Sequence, residues 1–370
     1  LGEVIFLLQR SVITNFNVQS FTIPTERPLE SDGTLEWTST TLILVQLEAD
    51  GVTGMGYTYG SRGLTSFAEQ LLSKHVTGQN SLSINSIWEN LRRAVRNDGH
   101  QGLSSMAISA IDNALWDLRA RLFKLPLVDL LGYAREKVEI YGSGGFTSMT
   151  LPELKDQMTA WQKQGIKKFK MKVGTHPEQD SSRVHFVREC IGPNAALMVD
   201  ANEAYDAGTA LRLSQEFAKE DVSWFEQPLR DTNIEGLSEL RRRLPAGMSL
   251  STGEYIYDST QALQFLRAKS ADVIQLDVTR CGGVTGFLKA AALCEAFNVP
   301  ISTHCAPSLH VALGCSIPTL KHLEFFSDHA RIETMLFDGV RPVEDGYLQP
   351  DLNRHGFGLT LKNQDFKRWQ

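Results

Sequence analysis

From Lys137 to Phe325 the chain alternates short apolar or β-prone runs with helical stretches, and the runs end on polar or titratable residues. The run ends are Tyr141-Gly142-Ser143, Lys170-Met171-Lys172-Val173, Val199-Asp200, Phe225-Glu226, Ser251 to Glu254, Gln275-Leu276-Asp277, Ser302-Thr303-His304 and Leu323-Glu324-Phe325. Such alternation implies a parallel sheet, because a strand returns parallel to its predecessor only through a crossover. A short apolar run without polar alternation is what a strand covered on both faces requires. Eight runs separated by helices over roughly 190 residues fit an α/β barrel of the (β/α)8 type. One crossover carries its own boundary marks, with Pro152 just inside the start and Gly165 at the stop.

A barrel of this kind holds its site at the C-terminal ends of its strands. Asp200, Glu226 and Glu254 close three successive runs and describe an oxygen-lined site for a divalent ion such as Mg2+. Asn202 stands two residues beyond Asp200, on the same face if the chain stays extended. Lys170 and Lys172 likewise share a face, and a buried cationic pair needs the carboxylates that the next strands bring. Alone, a Lys-x-Lys is usually a solvated edge. Alone, a strand-end histidine is usually a satisfied core residue. His304, however, follows an apolar run one strand after Asp277, a placing that allows an Asp–His dyad in which the carboxylate fixes the tautomer and raises the imidazole pKa. His310 and His322 are read as structural, and Glu203, Asp206 and Glu235 as ordinary loop or helix-start acids. Strand alternation should aim Cys305 away from the site.

Before the barrel, residues 1 to about 60 read as antiparallel strands. Val4 to Leu8 is one apolar run and Thr40 to Glu48 another, and Asp50-Gly51 gives a hairpin turn into Gly54-Met55-Gly56-Tyr57. Thr14 to Trp37 is polar and reads as a long functional or mobile loop, a lid over about 14–37. Ile84, Ile87, Trp88, Leu91 and Val95 repeat at helical spacing, and Met106 to Leu122 is apolar on more than one face. The expected division is an α+β capping domain over 1–132, a barrel over 133–335 and a segment over 336–370 that returns to the cap.

A net charge of −6, without a basic run, argues against nucleic acid or an anionic membrane as partner. No apolar stretch is long enough to span a bilayer. Five cysteines, odd in number and without a CxxC pair, fit reduced thiols in a cytoplasm. The opening Leu1-Gly2-Glu3 shows no basic region before an apolar one, so no secretory signal is expected, and the missing Met points to a trimmed start.

Taken together, Lys170-x-Lys172, Asp200-x-Asn202, Glu226-Gln227-Pro228, Gly253-Glu254, Asp277 with Gly282-Gly283-Val284-Thr285, His304 and Glu324 resemble the enolase superfamily, mandelate racemase subgroup, over essentially the whole chain. The muconate cycloisomerase and dipeptide epimerase branch carries Lys where this chain has Asp277. Mannonate and galactonate dehydratases carry His where it has Asn202. Both differences point away from those branches. The resemblance implies a modified barrel of the (β/α)7β form and a symmetric homo-oligomer. It implies one Mg2+ on Asp200, Glu226 and Glu254, chelating a small-molecule carboxylate substrate.

By the same resemblance Lys172 and His304–Asp277 act as acid/base groups on opposite faces, with the Lys172 pKa lowered by Lys170 and the metal. Lys170 and a protonated Glu324 neutralise an enediolate, and Ser143 and Asn202 contact substrate. Two opposed acid/base groups permit racemisation, or dehydration of an acid sugar to a 2-keto-3-deoxy acid when a β-hydroxyl is present. The polar majority of the 14–37 stretch favours the polyhydroxy substrate and hence the dehydratase. A metal-dependent hydrolase would want a metal-bound water and histidine ligands, where this chain offers carboxylates and one strand-end His. A retired, non-catalytic relative would have lost some strand-end groups, and none is missing.

Overall fold

The polar stretch after Val12 is mostly a strand, not a loop. The computed structural model describes residues 11–370. Within it β1 (Ile13–Pro24) pairs antiparallel with β4 (Ser39–Ala49) from Ile13 opposite Ala49 to Pro24 opposite Ser39. Ile13, Phe21 and Ile23 are buried, whereas Thr14, Asn15 and Asn17 face outward. A strand with one wet face reads as polar chain, which is why the pattern looked like loop. The excursion shrinks to residues 25–38, with a small ladder of β2 (Glu30–Ser31) and β3 (Glu36–Trp37) at its tip. β5 (Val52–Tyr59) completes the sheet across a two-residue turn in which Asp50 and Gly51 both take positive φ, as a tight hairpin requires. The run Val4 to Leu8 lies outside the described residues.

Three helices, Leu64–His75, Ile84–Ala94 and Leu103–Leu122, cover this sheet. Ile84, Ile87, Trp88 and Leu91 turn inward as their spacing dictates, and join Ile43, Val45, Leu47, Ile111 and Leu115 in the cap core. Leu103–Leu122 is buried nearly all round, because β5 lies on one side of it and a barrel helix, Gly283–Ala296, on the other. The Gly-Gly-Val-Thr sequence is the anchor between them. Asp112 accepts from the Thr285 N–H (2.8 Å) and hydroxyl (2.7 Å), Asn113 from the Val284 N–H, and the Ser109 hydroxyl from the Gly282 N–H.

The alternating half closes into a ring of eight parallel strands: β6 (Val138–Gly144), β7 (Lys168–Lys172), β8 (Ala196–Asp200), β9 (Val222–Glu226), β10 (Ser249–Thr252), β11 (Val273–Leu276), β12 (Ile301–Thr303) and β13 (Leu320–Phe326). Each pairs with the next, and β13 pairs with β6 to close the barrel. A helix follows every strand, the last being Ser327–Leu336. The first crossover helix, Leu151–Lys163, has a full capping box between Thr150 and Glu153. Inside the ring Tyr141, Met198, Trp224 and Val273 form a closed layer beneath the strand ends. The five cysteines are unpaired, and no helix of the described residues is long and apolar enough to cross a membrane.

After the barrel, β14 (Phe337–Asp338) is joined later by β16 (Thr360–Leu361), while β15 (Tyr347–Leu348) adds antiparallel to β6. The tail then crosses to the cap, where the Leu127 N–H donates to the Gly356 carbonyl (2.7 Å) and Phe21 meets Phe366 edge-on. Asp117, fully buried, gathers three elements: it accepts from the Met55 N–H on β5 (2.8 Å), the Phe357 N–H of the tail (2.8 Å) and Arg121 (2.5 Å). Removing it strands two backbone donors and a guanidinium. Asp117→Ala should therefore lower the unfolding free energy by about 3–5 kcal/mol, read as a lower urea midpoint; a midpoint unchanged from wild type would refute the joint.

Candidate active site

The register of neighbouring strands brings the charged residues to one level. Lys172 stands opposite Asp200, and Asp200 opposite Glu226, across β7, β8 and β9. Lys170, fully buried, is the hub: its ammonium contacts Glu226, Glu324 (2.7 Å) and Asp200 (3.4 Å). Lys172 donates to Asp200 at 2.5 Å. From the layer below, the Trp224 indole N–H donates to the second oxygen of Glu226 at 2.8 Å. Trp224 and Glu226 are two apart on one strand, so period-two alternation could have flagged the pair. Across the ring His304 Nδ1 lies 2.8 Å from Asp277 Oδ2, and Asp277 Oδ1 takes both donors of Thr279. The other ring nitrogen, Nε2, lies 3.2 Å from Glu254 Oε2.

These charges hold one another. Burial disfavours the Lys170 ammonium, yet Glu226, Glu324 and Asp200 keep its pKa well above the usual lysine range. Lys172 is also penalised by burial and repelled by Lys170, but Asp200 outweighs both and its pKa is raised, the reverse of the expected lowering. Burial pushes Glu324 up while Lys170 brings it down to about 2. Both its oxygens accept, Oε1 from Lys170 and Oε2 from the Cys305 N–H (2.6 Å), so this arrangement holds a carboxylate, where a protonated donor was expected. Burial opposes the His304 imidazolium, but Cys305, Glu254 and Asp277 raise its pKa well above the histidine norm.

The chain bends sharply at the strand ends to aim these groups. Asn202, Glu203, Gln227, Cys305 and Ala306 all have positive φ, a concentration of backbone strain of the kind that marks functional sites. Gly253 sits at φ +124, where a Cβ would lie 2.7 Å from the Gln275 carbonyl, and this turn delivers Glu254 past the end of β10. β8 stops at Asp200, so Asn202 is not on an extended face; its N–H donates to Asp200 Oδ1 (3.0 Å). The same effect corrects Cys305. Its left-handed backbone breaks the alternation and sets Sγ 3.3 Å from His304 Nε2, towards the site. His310 and His322 are buried: His310 accepts the Val278 N–H, and His322 meets the Ser302 hydroxyl. Glu203 binds the Asp231 N–H, Asp206 caps Ala207–Lys219, and Glu235 lies in the first turn of Ile234–Arg241.

The 25–38 excursion folds over this mouth. Gly33 is pressed against the Ala201 and Val173 carbonyls, 2.3 and 2.6 Å from where a Cβ would sit. Thr34 donates to the Asn202 carbonyl (3.0 Å), Ser31 meets Thr147 (2.6 Å), and Trp37 packs edge-on against Phe146. Asp32 accepts from the N–H groups of Thr34 and Leu35. The polarity of this segment thus serves its docking, which removes it as an argument about substrate.

Asp200, Glu226 and Glu254 each present a carboxylate oxygen within 4.8 Å of the others, all three buried. Ser143 Oγ and Asn202 Oδ1 are buried without a hydrogen bond, and Glu254 Oε2 has only the His304 ring nitrogen beside it, so polar atoms at the mouth await partners. An all-oxygen set fits a hard divalent cation.

Comparison with known proteins gives this site relatives. The family model described as "Enolase C-terminal domain-like" matches residues 153–365, and "Mandelate racemase / muconate lactonizing enzyme, N-terminal domain" matches 19–132. The chain is 31% identical over 342 residues to L-talarate/galactarate dehydratase of Salmonella typhimurium, spanning 90% of this chain and 83% of that protein. It is 32% identical over 336 residues to 3,6-anhydro-alpha-L-galactonate cycloisomerase of Streptomyces coelicolor, spanning 88% and 90%. A crystal structure of a mandelate racemase/muconate lactonizing enzyme-like protein from Rubrobacter xylanophilus matches with a TM-score of 0.94 at 43% identity, over 97% of this chain and 99% of that one. The Salmonella dehydratase liganded with Mg and L-lyxarohydroxamate matches with a TM-score of 0.90 at 30% identity, over 97% and 93%.

Two substitutions test the geometry. Trp224→Phe removes one donor beneath Glu226 and should weaken divalent-cation affinity about 10–100-fold, measured by calorimetry; unchanged affinity would show that the indole does not orient the carboxylate. Gly33→Val cannot seat between the two carbonyls, so limited proteolysis at Arg27 should speed up at least about tenfold, a factor worth 1.4 kcal/mol of docking energy. Equal cleavage rates would mean that Gly33 does not hold the lid down.

Proposed function

The chain belongs to the mandelate racemase subgroup of the enolase superfamily, and from that premise we propose that it is a Mg2+-dependent acid-sugar dehydratase. The observation that carries the proposal is that Lys172 and His304, on strands that are not neighbours, each touch a different member of one carboxylate trio. A substrate carboxylate centred on that trio would have an amine on one side and an imidazole on the other. Asp200, Glu226 and Glu254 would hold the cation, which when bound would supply positive charge beside the substrate carboxylate and engage Asp200, the same carboxylate that otherwise holds the Lys172 proton.

Lys172 then takes the α-proton. The charge left on the substrate as an enediolate is met by Lys170, whose burial keeps it charged and dry. His304, held at Nδ1 by Asp277, offers Nε2. As an imidazolium it gives its proton to the departing β-hydroxyl, which leaves as water. The resulting enol tautomerises to a 2-keto-3-deoxy acid, so substrate and product differ by one water. Ser143 Oγ and Asn202 Oδ1, buried and unpartnered, are available to substrate hydroxyls. The dehydratase and cycloisomerase names among the relatives support an acid-sugar substrate. The same pair of groups can return the proton to the opposite face, which is the epimerase reading.

A panel of aldonates and aldarates incubated with enzyme and Mg2+ in D2O separates these outcomes. Dehydration gives a 2-keto acid; epimerisation gives α-deuterated substrate without keto acid; neither product across a broad panel would overturn both readings. Lys172→Ala and His304→Ala should each lower kcat about 10²–10⁴-fold on the true substrate. Full activity in both would remove the assigned roles. Chelation should abolish turnover, and Mg2+ should restore it.

A further inference from the structure

We propose that His304, Cys305 and Glu324 form a second cation site at the barrel mouth, one that takes a thiophilic divalent ion such as Zn2+ and silences the enzyme when filled. A His304 ring nitrogen, Cys305 Sγ and a Glu324 carboxylate oxygen lie within 4.8 Å of one another, and all three residues are buried. The left-handed turn at Cys305 places Sγ 3.3 Å from Nε2. A tetrahedral ion with nitrogen at 2.0–2.1 Å and sulfur at 2.3 Å separates those two ligands by roughly 3.6 Å, so a shift of a few tenths of an ångström suits that pair.

The surroundings fit the same ion. Asp277 occupies Nδ1, which leaves Nε2 as the outward nitrogen in the carboxylate–histidine arrangement that orients metal-bound imidazoles. The Cys305 N–H holds Glu324 Oε2 in place at 2.6 Å. Glu254 Oε2, buried and 3.2 Å from Nε2, borders these three residues and can serve as a fourth ligand that bridges to the all-oxygen site. Nitrogen, sulfur and carboxylate oxygen together select Zn2+ or Co2+, while the all-oxygen trio next door selects Mg2+.

Binding forms only metal–ligand bonds and releases to solvent the Cys305 thiol proton, together with the Nε2 proton wherever His304 is an imidazolium. With Nε2 committed to the ion, His304 can no longer exchange a proton with substrate. The silencing rests on the proposed dehydratase or epimerase role of His304; the binding does not.

The test uses the full chain with saturating Mg2+, and Co2+ as a spectroscopic stand-in for Zn2+. One equivalent of Co2+ should raise a near-ultraviolet thiolate charge-transfer band, which Zn2+ then erases. X-ray absorption of the Zn2+ form of the wild type should show one sulfur neighbour at about 2.3 Å, a readout that needs no variant. Cys305→Ser should lose the band and raise the Zn2+ concentration for half-inhibition at least tenfold. No band and no sulfur neighbour in the wild type would overturn the site. A Cys305→Ser enzyme that Zn2+ inhibits as readily as wild type would overturn the silencing. Metal binding with a sulfur ligand, in a protein that turns over no acid, would instead uphold the site and count against the dehydratase reading.

Discussion

One buried ammonium organises the barrel mouth. Lys170 sits where carboxylates from β8, β9 and β13 converge, and without it Asp200, Glu226 and Glu324 would repel one another in a site that water scarcely reaches. Leaving such a cluster short of one charge typically costs about 3–5 kcal/mol. The lysine therefore allows acids to be crowded where a divalent cation can later be held. Tyr141 closes the space below, its ring facing the ammonium at 5.3 Å, and Trp224 steadies the far oxygen of Glu226. The hydrophobic layer of the barrel is in this sense the floor that keeps the charges dry and in place.

Above that floor, two of the ties between cap and barrel differ in kind. Asp112 and Asn113 grip the Gly-Gly-Val-Thr turn, while Gly33 presses the 25–38 finger against the strand ends. The first joint is made of buried hydrogen bonds and fixes where the cap sits. The second is a close approach of backbones with a few hydroxyl bonds, which is the weaker kind of contact and suits a segment that must admit a substrate. The left-handed residues at the strand ends store strain where side chains have to be aimed off the strand direction.

Much of this was legible in the chain itself, for a physical reason. Parallel strands buried on both faces must be apolar, so the titratable residues at their ends stand out, and Asp200, Glu226, Asp277, His304 and Glu324 were all visible as interruptions of hydrophobic runs. The failures share a cause as well. β1 has one face in water, and its Thr, Asn and Gln residues mimic a loop. Cys305 and Asn202 were placed by strand alternation, which lapses as soon as the backbone turns left-handed. The polarity of the 14–37 stretch points to a polyhydroxy substrate, whereas within it Ser31 and Thr34 spend their hydrogen bonds on docking and Asp32 on the turn between them. Protonation was the least legible property, because the charge on Lys172 and Glu324 depends on neighbours that only the folded ring supplies.

The central claim is spatial: a single divalent cation and one substrate carboxylate sit among Asp200, Glu226 and Glu254, with Lys172 and His304 on opposite sides. The most direct measurement is a crystal of the protein with Mn2+ and an unreactive hydroxamate analogue of an acid sugar, read by anomalous scattering. The account predicts one strong anomalous peak bridging the three carboxylates, with Lys172 Nζ and His304 Nε2 facing the analogue from either side. No peak among the three carboxylates, or an analogue that reaches only one of the two, would contradict it.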